Sequence, residues 1–153
     1  MSNREWAIGI GGLCVIALIT VLAVTSTGKD KDKDKDNKDE KVIKTDSGLE
    51  YVDLKVGDGE EAKTRKKVWM HYTGTFKDTG KKFDSSYDSG EPYELVLGAG
   101  EVIKGWDEGI VGMKVGGKRK LIVPYKLAYG EKGRGTIPPK ADLVFEVELV
   151  KVK

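Results

Sequence analysis

The alternation of apolar and polar residues changes character twice along the chain, and each stretch predicts a different kind of structure. From Ala7 to Thr25 there are 19 positions without a charge, and Leu, Ile, Val and Ala dominate them. A helix of that length rises about 28 Å, close to the hydrocarbon thickness of a bilayer, so the stretch predicts a single transmembrane helix. From Lys29 to Lys44 the apolar signal vanishes until Val42: Lys alternates with Asp, and seven Lys face six Asp and Glu. Such a segment cannot bury enough surface to offset chain entropy, and it predicts a disordered charged tether. As a coil it reaches roughly 20–24 Å.

From Thr45 onward, short β-prone runs are cut by turn residues. Leu49 to Val56 alternates loosely and stops at Gly57-Asp58-Gly59. Lys67 to Phe76 closes at Lys77-Asp78-Thr79-Gly80, Tyr93 to Leu97 at Gly98, and Lys118 to Val123 at Pro124. Leu143 to Val150 reads as a final strand with one polar face. Helical spacing occurs over Val102 to Met113, where Ile103, Trp106, Ile110 and Met113 share a stripe. Gly105, Gly109 and Gly112 weaken that helix, so packing must hold it. The pattern predicts an α+β fold, with one short helix lying on one face of a curved antiparallel sheet. The expected organisation is a tail (1–6), an anchor (7–25), a tether (26–44) and a globular domain (45–153).

The apolar segment has a rival reading as a cleavable signal peptide. Signal cores run roughly 7–15 residues and end in small residues, whereas Val24-Thr25-Ser26 lacks the Ala-x-Ala pattern. The length favours an uncleaved anchor, with Trp6 at the interface and Cys14 as a small apolar side chain within the span. Orientation stays open. The Lys-rich C-terminal flank argues for a cytoplasmic domain, while an apolar segment with almost nothing ahead of it resembles an export signal, and we read a single-pass membrane protein with its domain on the exported side. Asp30, Asp32 and Asp34 begin like a calcium loop, but Lys35 and Lys41 occupy the positions that need Gly and Glu.

Composition narrows the chemistry. The 153-residue chain has one Cys and one His, which excludes a disulfide framework and a Cys- or His-rich metal site. Net charge is +2, and residues 45–153 hold 19 Lys and Arg against 18 Asp and Glu, so there is no electrostatic case for nucleic acid. His71, inside a strand, reads as a sheet residue. Gly98-Ala99-Gly100 lacks the spacing of a dinucleotide fingerprint. Gly116-Gly117-Lys118-Arg119-Lys120 reads as a solvated strand or turn, and Asp107-Glu108 as the wet face of the helix. What remains is a supply of aromatic and aliphatic residues near Gly- and Pro-rich turns: core in part, and in part a pocket.

Six collinear strings then carry a resemblance. They are His71-Tyr72-Thr73-Gly74; Gly80 to Ser86 (GKKFDSS); Gly100 to Gly109 (GEVIKGWDEG) with Ala128-Tyr129-Gly130; Ile137-Pro138-Pro139; and Leu143 to Leu149 (LVFEVEL). Over essentially its whole length the domain resembles the FKBP family of peptidyl-prolyl cis/trans isomerases. The resemblance implies an antiparallel sheet wrapped round a short helix and an enzyme with no cofactor and no metal. Its substrates are Xaa-Pro-containing polypeptides, and macrolide inhibitors of the family are possible ligands. It implies Trp106 as the floor of a proline pocket, with Tyr72, Phe83, Val102, Ile103 and Phe145 as walls. Tyr129 would offer a hydroxyl, Asp84 a carboxylate and Ile103 a backbone N–H to the peptide, and Ile137 would close one side. Three departures bear on specificity: Tyr93 where the family often has Phe, Ser89 where some members carry Arg, and a compact loop at Glu131 to Thr136. Together with the anchor and tether, the expectation is a monomeric, membrane-tethered isomerase assisting protein folding. The alternative from another class is a non-catalytic module that grips Pro-containing segments or a partner protein.

Overall fold

The computed structural model describes residues 41–153. The expected tail and anchor and most of the tether lie outside the described residues. Among the described residues no helix is long and apolar enough to cross a membrane. The last two residues of the expected tether, Ile43 and Lys44, pair with Tyr51 and Glu50 as a short strand, β1, so the folded domain begins slightly earlier than 45.

The remaining strands are β2 (Glu50–Lys55), β3 (Lys67–Phe76), β4 (Lys82–Ser85), β5 (Tyr93–Val96), β6 (Lys118–Val123) and β7 (Leu143–Val152). They form one seven-stranded antiparallel sheet in the order β1-β2-β6-β7-β3-β4, with β5 also on β3. The outer edge of β3 is thus shared. Lys67 to Met70 pair with β5 and Thr73 to Thr75 with β4. His71 and Tyr72 fall in the gap. There the Ser86 hydroxyl, in a 3-10 turn over Ser86–Asp88, accepts the Tyr72 N–H at 2.9 Å. His71 Nδ1 lies 3.0 Å from the same hydroxyl, and its ring stacks on Tyr87 at 4.5 Å, a satisfied sheet residue as expected.

Period-two burial builds the core. Leu143, Phe145, Val147 and Leu149 of β7 point inward with Arg119, Leu121 and Val123 of β6 and Val68 and Met70 of β3. A bulge opposite Trp69/Met70 leaves Val150 outside and turns Val152 back in.

The helix, α1, spans Lys104–Gly109, half the expected length. Ile103 is extended (φ −62°, ψ 147°) and serves as its N-cap. Gly112 takes φ +84°, a left-handed conformation that ends the chain direction before Met113. The helical stripe survives as packing: Trp106, Ile110 and Met113 are all buried. Gly105 and Gly109 let α1 lie flush on the sheet. A Cβ on Gly105 would sit 2.4 Å from Val123 Cγ1, and one on Gly109 2.7 Å from Leu121 Cδ2. Two surface expectations are corrected. Arg119 is buried, 6% exposed, and forks onto Asp53 at 2.6 and 3.1 Å, so it is no part of a solvated basic turn. Asp107 and Glu108 are not simply a wet face, because both brace neighbouring segments. Asp107 accepts the Gly98 and Gly100 N–H groups at 2.8 and 3.2 Å, and Glu108 accepts the Ser47 hydroxyl.

Candidate active site: an aromatic cleft at the head of the helix

The N-terminal end of α1 brings Trp106 to the meeting point of β3, β5 and β7. Trp106 is 5% exposed and receives three rings edge-on: Tyr72 at 4.9 Å, Phe145 at 5.2 Å and Tyr93 at 6.1 Å, all near right angles. Phe83 of β4 meets Phe145 edge-on at 5.7 Å. Edge-to-face contacts of this kind fix ring orientation as well as burying area. Gly74 makes the arrangement possible, since a Cβ there would lie 2.6 Å from Phe83 and 2.9 Å from Phe145.

These rings line a cleft of about 480 Å³. Of the residues named from sequence, Tyr72, Phe83, Asp84, Tyr93, Val102, Ile103, Trp106, Tyr129 and Phe145 all line it. Ile137 is the exception. It is 8% exposed within the core cluster and borders a neighbouring cleft. A two-residue bridge, Arg134 N–H to Ile137 C=O and back, turns Arg134 towards the aromatic cleft and leaves Ile137 behind it. Arg134 is therefore a lining residue that pattern reasoning missed, as are Glu101 and Lys104. Their exposed loop and helix-start positions carry no periodic signal.

Polar groups ring the apolar centre. The Asp84 carboxylate accepts the Tyr72 hydroxyl at 2.6 Å. Burial, and then that bond, push the Tyr72 hydroxyl pKa well above the ordinary tyrosine range. The Tyr129 hydroxyl is raised too, by burial first; Arg134 opposes the shift and Asp84 adds to it. Both phenols are therefore neutral donors at physiological pH. Ser89, in the position where a cation was absent from the sequence, turns its hydroxyl to Ser86 C=O at 2.9 Å, away from Asp84. The Ile103 C=O is occupied by the Trp106 and Asp107 N–H groups, while among the described residues its own N–H meets no acceptor. Asp107 holds the loop leading to it. The arrangement is an open slot with an aromatic floor and polar groups at fixed points on its rim, suited to a compact apolar ring flanked by peptide carbonyls.

Comparison with known proteins agrees with this geometry. The family model of the FKBP-type peptidyl-prolyl cis-trans isomerases matches residues 58–150. An FK506-binding protein of Neisseria meningitidis serogroup B is 55% identical over 106 residues, covering 69% of this chain and 96% of its own. The peptidyl-prolyl cis-trans isomerase FPR2 of Saccharomyces cerevisiae is 61% identical over 88 residues, covering 57% of this chain and 65% of its own. The crystal structure of FkpA from Escherichia coli superposes with a TM-score of 0.68 at 46% identity, over 73% of this chain and 51% of that one. That of AtFKBP13 gives 0.69 at 41%, over 74% and 99%. The chain belongs to the family of FKBP-type peptidyl-prolyl cis-trans isomerases. It is an enzyme that interconverts the cis and trans forms of peptide bonds preceding proline.

Proposed function

We propose that the aromatic cleft is where the prolyl bond turns, and that the enzyme works beside a membrane on polypeptides that are still folding. The observation that carries the first part is Trp106, with three rings edge-on around it and an Ile103 N–H at the rim that is unmet among the described residues. Rotation about a peptide bond faces a barrier of about 18–20 kcal/mol because the C–N bond has double-bond character. At the half-turn that resonance is lost, the carbonyl is less polar and the nitrogen becomes pyramidal. An aromatic floor that displaces water disfavours the polar planar amide relative to the twisted one, which is selective binding of the transition state. A thousandfold acceleration needs only about 4 kcal/mol of such selectivity.

In this reading the proline ring lies over the Trp106 indole between Tyr72, Phe83 and Phe145, with Val102 and Ile103 along one wall. The Ile103 N–H takes a substrate carbonyl. Tyr129 and Asp84 orient the chain and shape the local field, and no acid–base step is needed. One chain supplies the whole set, which supports a monomer. The name of the Neisseria relative, at 55% identity, supports macrolide binding here, with the Tyr93 hydroxyl and the missing cation at Ser89 altering affinity.

The membrane part rests on the uncharged stretch Ala7 to Thr25 and the Lys/Asp tether after it, which holds the domain clear of the headgroups. NMR exchange on an Ala-Leu-Pro-Phe peptide tests the cleft. Trp106→Leu is expected to lower kcat/KM by about 10- to 100-fold with the fold retained by circular dichroism, and an unchanged rate would remove Trp106 from the site. Fractionation of the full chain with protease protection tests the tether. The expected result is full-length protein in the membrane with its domain on the exported side; a shortened soluble form would make residues 7–25 a signal peptide.

A further inference from the structure

A second cleft, about 740 Å³, adjoins the aromatic one. The two share Arg134, which lines both. They also share an aromatic partition: Phe83 faces the first cleft and Phe76 the second, with their rings 5.1 Å apart. A polypeptide whose proline occupied the first cleft could run directly into the second. The two differ sharply in charge. The first carries Asp84 and Glu101 against Lys104 and Arg134, so it is balanced. The second carries Lys81, Lys132, Arg134 and Lys140 against Asp78 alone.

Neighbouring anions do little to cancel those cations. Lys140 meets Glu131 only at 3.9 Å, with both side chains exposed, a pairing of small worth. The Asp78 carboxylate is turned onto its own turn, accepting the Thr79 N–H at 2.7 Å. The neighbouring Asp142 is engaged by Lys77 and by the Tyr125 N–H. The frame that carries the cations is also fixed. Arg134 and Ile137 exchange both backbone bonds, at 3.0 and 2.9 Å. At Gly133 a Cβ would fall 2.3 Å from the Ile137 carbonyl oxygen, so the loop closes tightly on itself. Across the cleft, the turn bearing Lys81 is tied by Lys81 C=O to Phe76 N–H and by Gly80 N–H to Phe76 C=O.

We propose that this second cleft is an extended substrate subsite that selects acidic residues flanking the proline, through Lys81, Lys132 and Lys140 with Arg134 at the junction. The inference rests on the aromatic cleft being the prolyl site. Surface charges held in one cleft act together on an anionic segment, and the effect is screened as salt rises. Only one side of the proline faces the second cleft, so the preference belongs to one side of the bond.

The test uses labelled Ala-Leu-Pro-Phe peptides extended by Glu-Glu, Gln-Gln or Lys-Lys, on the N-terminal side in one series and the C-terminal side in another. Binding is read by fluorescence anisotropy and turnover by NMR exchange. On one side, the Glu-Glu peptide is expected to bind about three- to tenfold more tightly than the Lys-Lys peptide in 20 mM salt, and the gap to close by about 500 mM. The variant K81Q/K132Q/K140Q, changed only at exposed positions, is expected to bring the Glu-Glu peptide to the affinity of the Gln-Gln one. Equal binding of all three peptides on both sides overturns the subsite, as does a charge preference that survives the triple variant. Loss of turnover on every peptide with charge discrimination intact would instead strike the prolyl site.

Discussion

The two ends of α1 answer the same physical demand in opposite ways. At the C-terminal end a buried guanidinium meets two backbone carbonyls. Arg119 gives Nη1 to the Gly109 C=O at 2.8 Å and to Val111 C=O at 3.4 Å, forks onto Asp53, and stacks over the Tyr51 ring at 4.2 Å. At the N-terminal end, among the described residues, the Trp106 indole N–H is buried without a partner and the Ile103 N–H has none either. An unmet buried donor costs about 1–3 kcal/mol, a cost the Arg119 end avoids. The Arg119 end is held from within the fold, and the other end opens on the aromatic cleft.

Breaking the satisfied end should have the largest effect on stability. Arg119→Ala strips two backbone carbonyls of their donor and empties a packed site, and it is expected to cost about 2–4 kcal/mol in urea unfolding. Asp53→Asn is expected to cost less, about 0.5–1.5 kcal/mol, because the Asp53 side chain is already a third exposed and rehydrates. The prolyl rate per folded molecule should fall far less in either than in Trp106→Leu. An Arg119→Ala protein as stable as the wild type would show that the C-terminal end of α1 is not held in the way described.

The contact between helix and sheet comes next. Gly105→Ala drives a Cβ to 2.4 Å from Val123 Cγ1, and Val123 is β-branched and buried, so it cannot swing aside. The expected cost is about 1–3 kcal/mol. Gly109→Ala is expected to be milder, because it meets only the terminal methyls of Leu121 and Leu49, whose side chains are longer and less stiff than that of Val. As Gly105 lies beside Trp106, its variant should also lower kcat/KM, whereas Gly109→Ala should not. Equal losses of activity in the two would mean that the helix moves as one body.

How much of this was legible in the sequence follows from which forces leave a periodic trace. Strands β2, β3, β5, β6 and β7 announced themselves through alternation against a core, since burial on one face repeats every second residue. The strand β4 is four residues long, and only one of them, Ser85, is buried, so it carried no alternation. The helix stripe was real, but its length was not: Met113 is buried and Ile103 partly buried by packing without being helical. Nine of the ten site residues named from sequence meet in one cleft because the motif strings preserve their spacing along fixed strands. Arg134 takes the lining place expected of Ile137 because a single backbone bridge decides which side each faces. Arg119 and Asp107 looked like surface charges, and their partners lie 66 and 7 to 9 residues away, separations that no local pattern encodes.

The smallest effect concerns the rim, where Tyr72 and Asp84 join a satisfied pair to the open cleft. At pH 8 the Tyr72→Phe variant loses one hydrogen bond to a carboxylate at 2.6 Å and is expected to be less stable by about 0.5–1.5 kcal/mol. The folded-state pKa of Tyr72 lies above the value of the unfolded chain, which is near 10. The folded protein therefore holds this proton more tightly, and the stability that the pair contributes is fully present below about pH 10. Above that pH the unfolded chain releases the proton first, and the contribution is lost as pH rises towards the folded-state value. Urea midpoints at pH 8, 9.5 and 11 should thus show the gap between wild type and Tyr72→Phe narrowing at the alkaline end. A gap that widens with pH would mean that the hydroxyl ionises more easily in the fold than in water. Burial beside a carboxylate could not then be its governing environment.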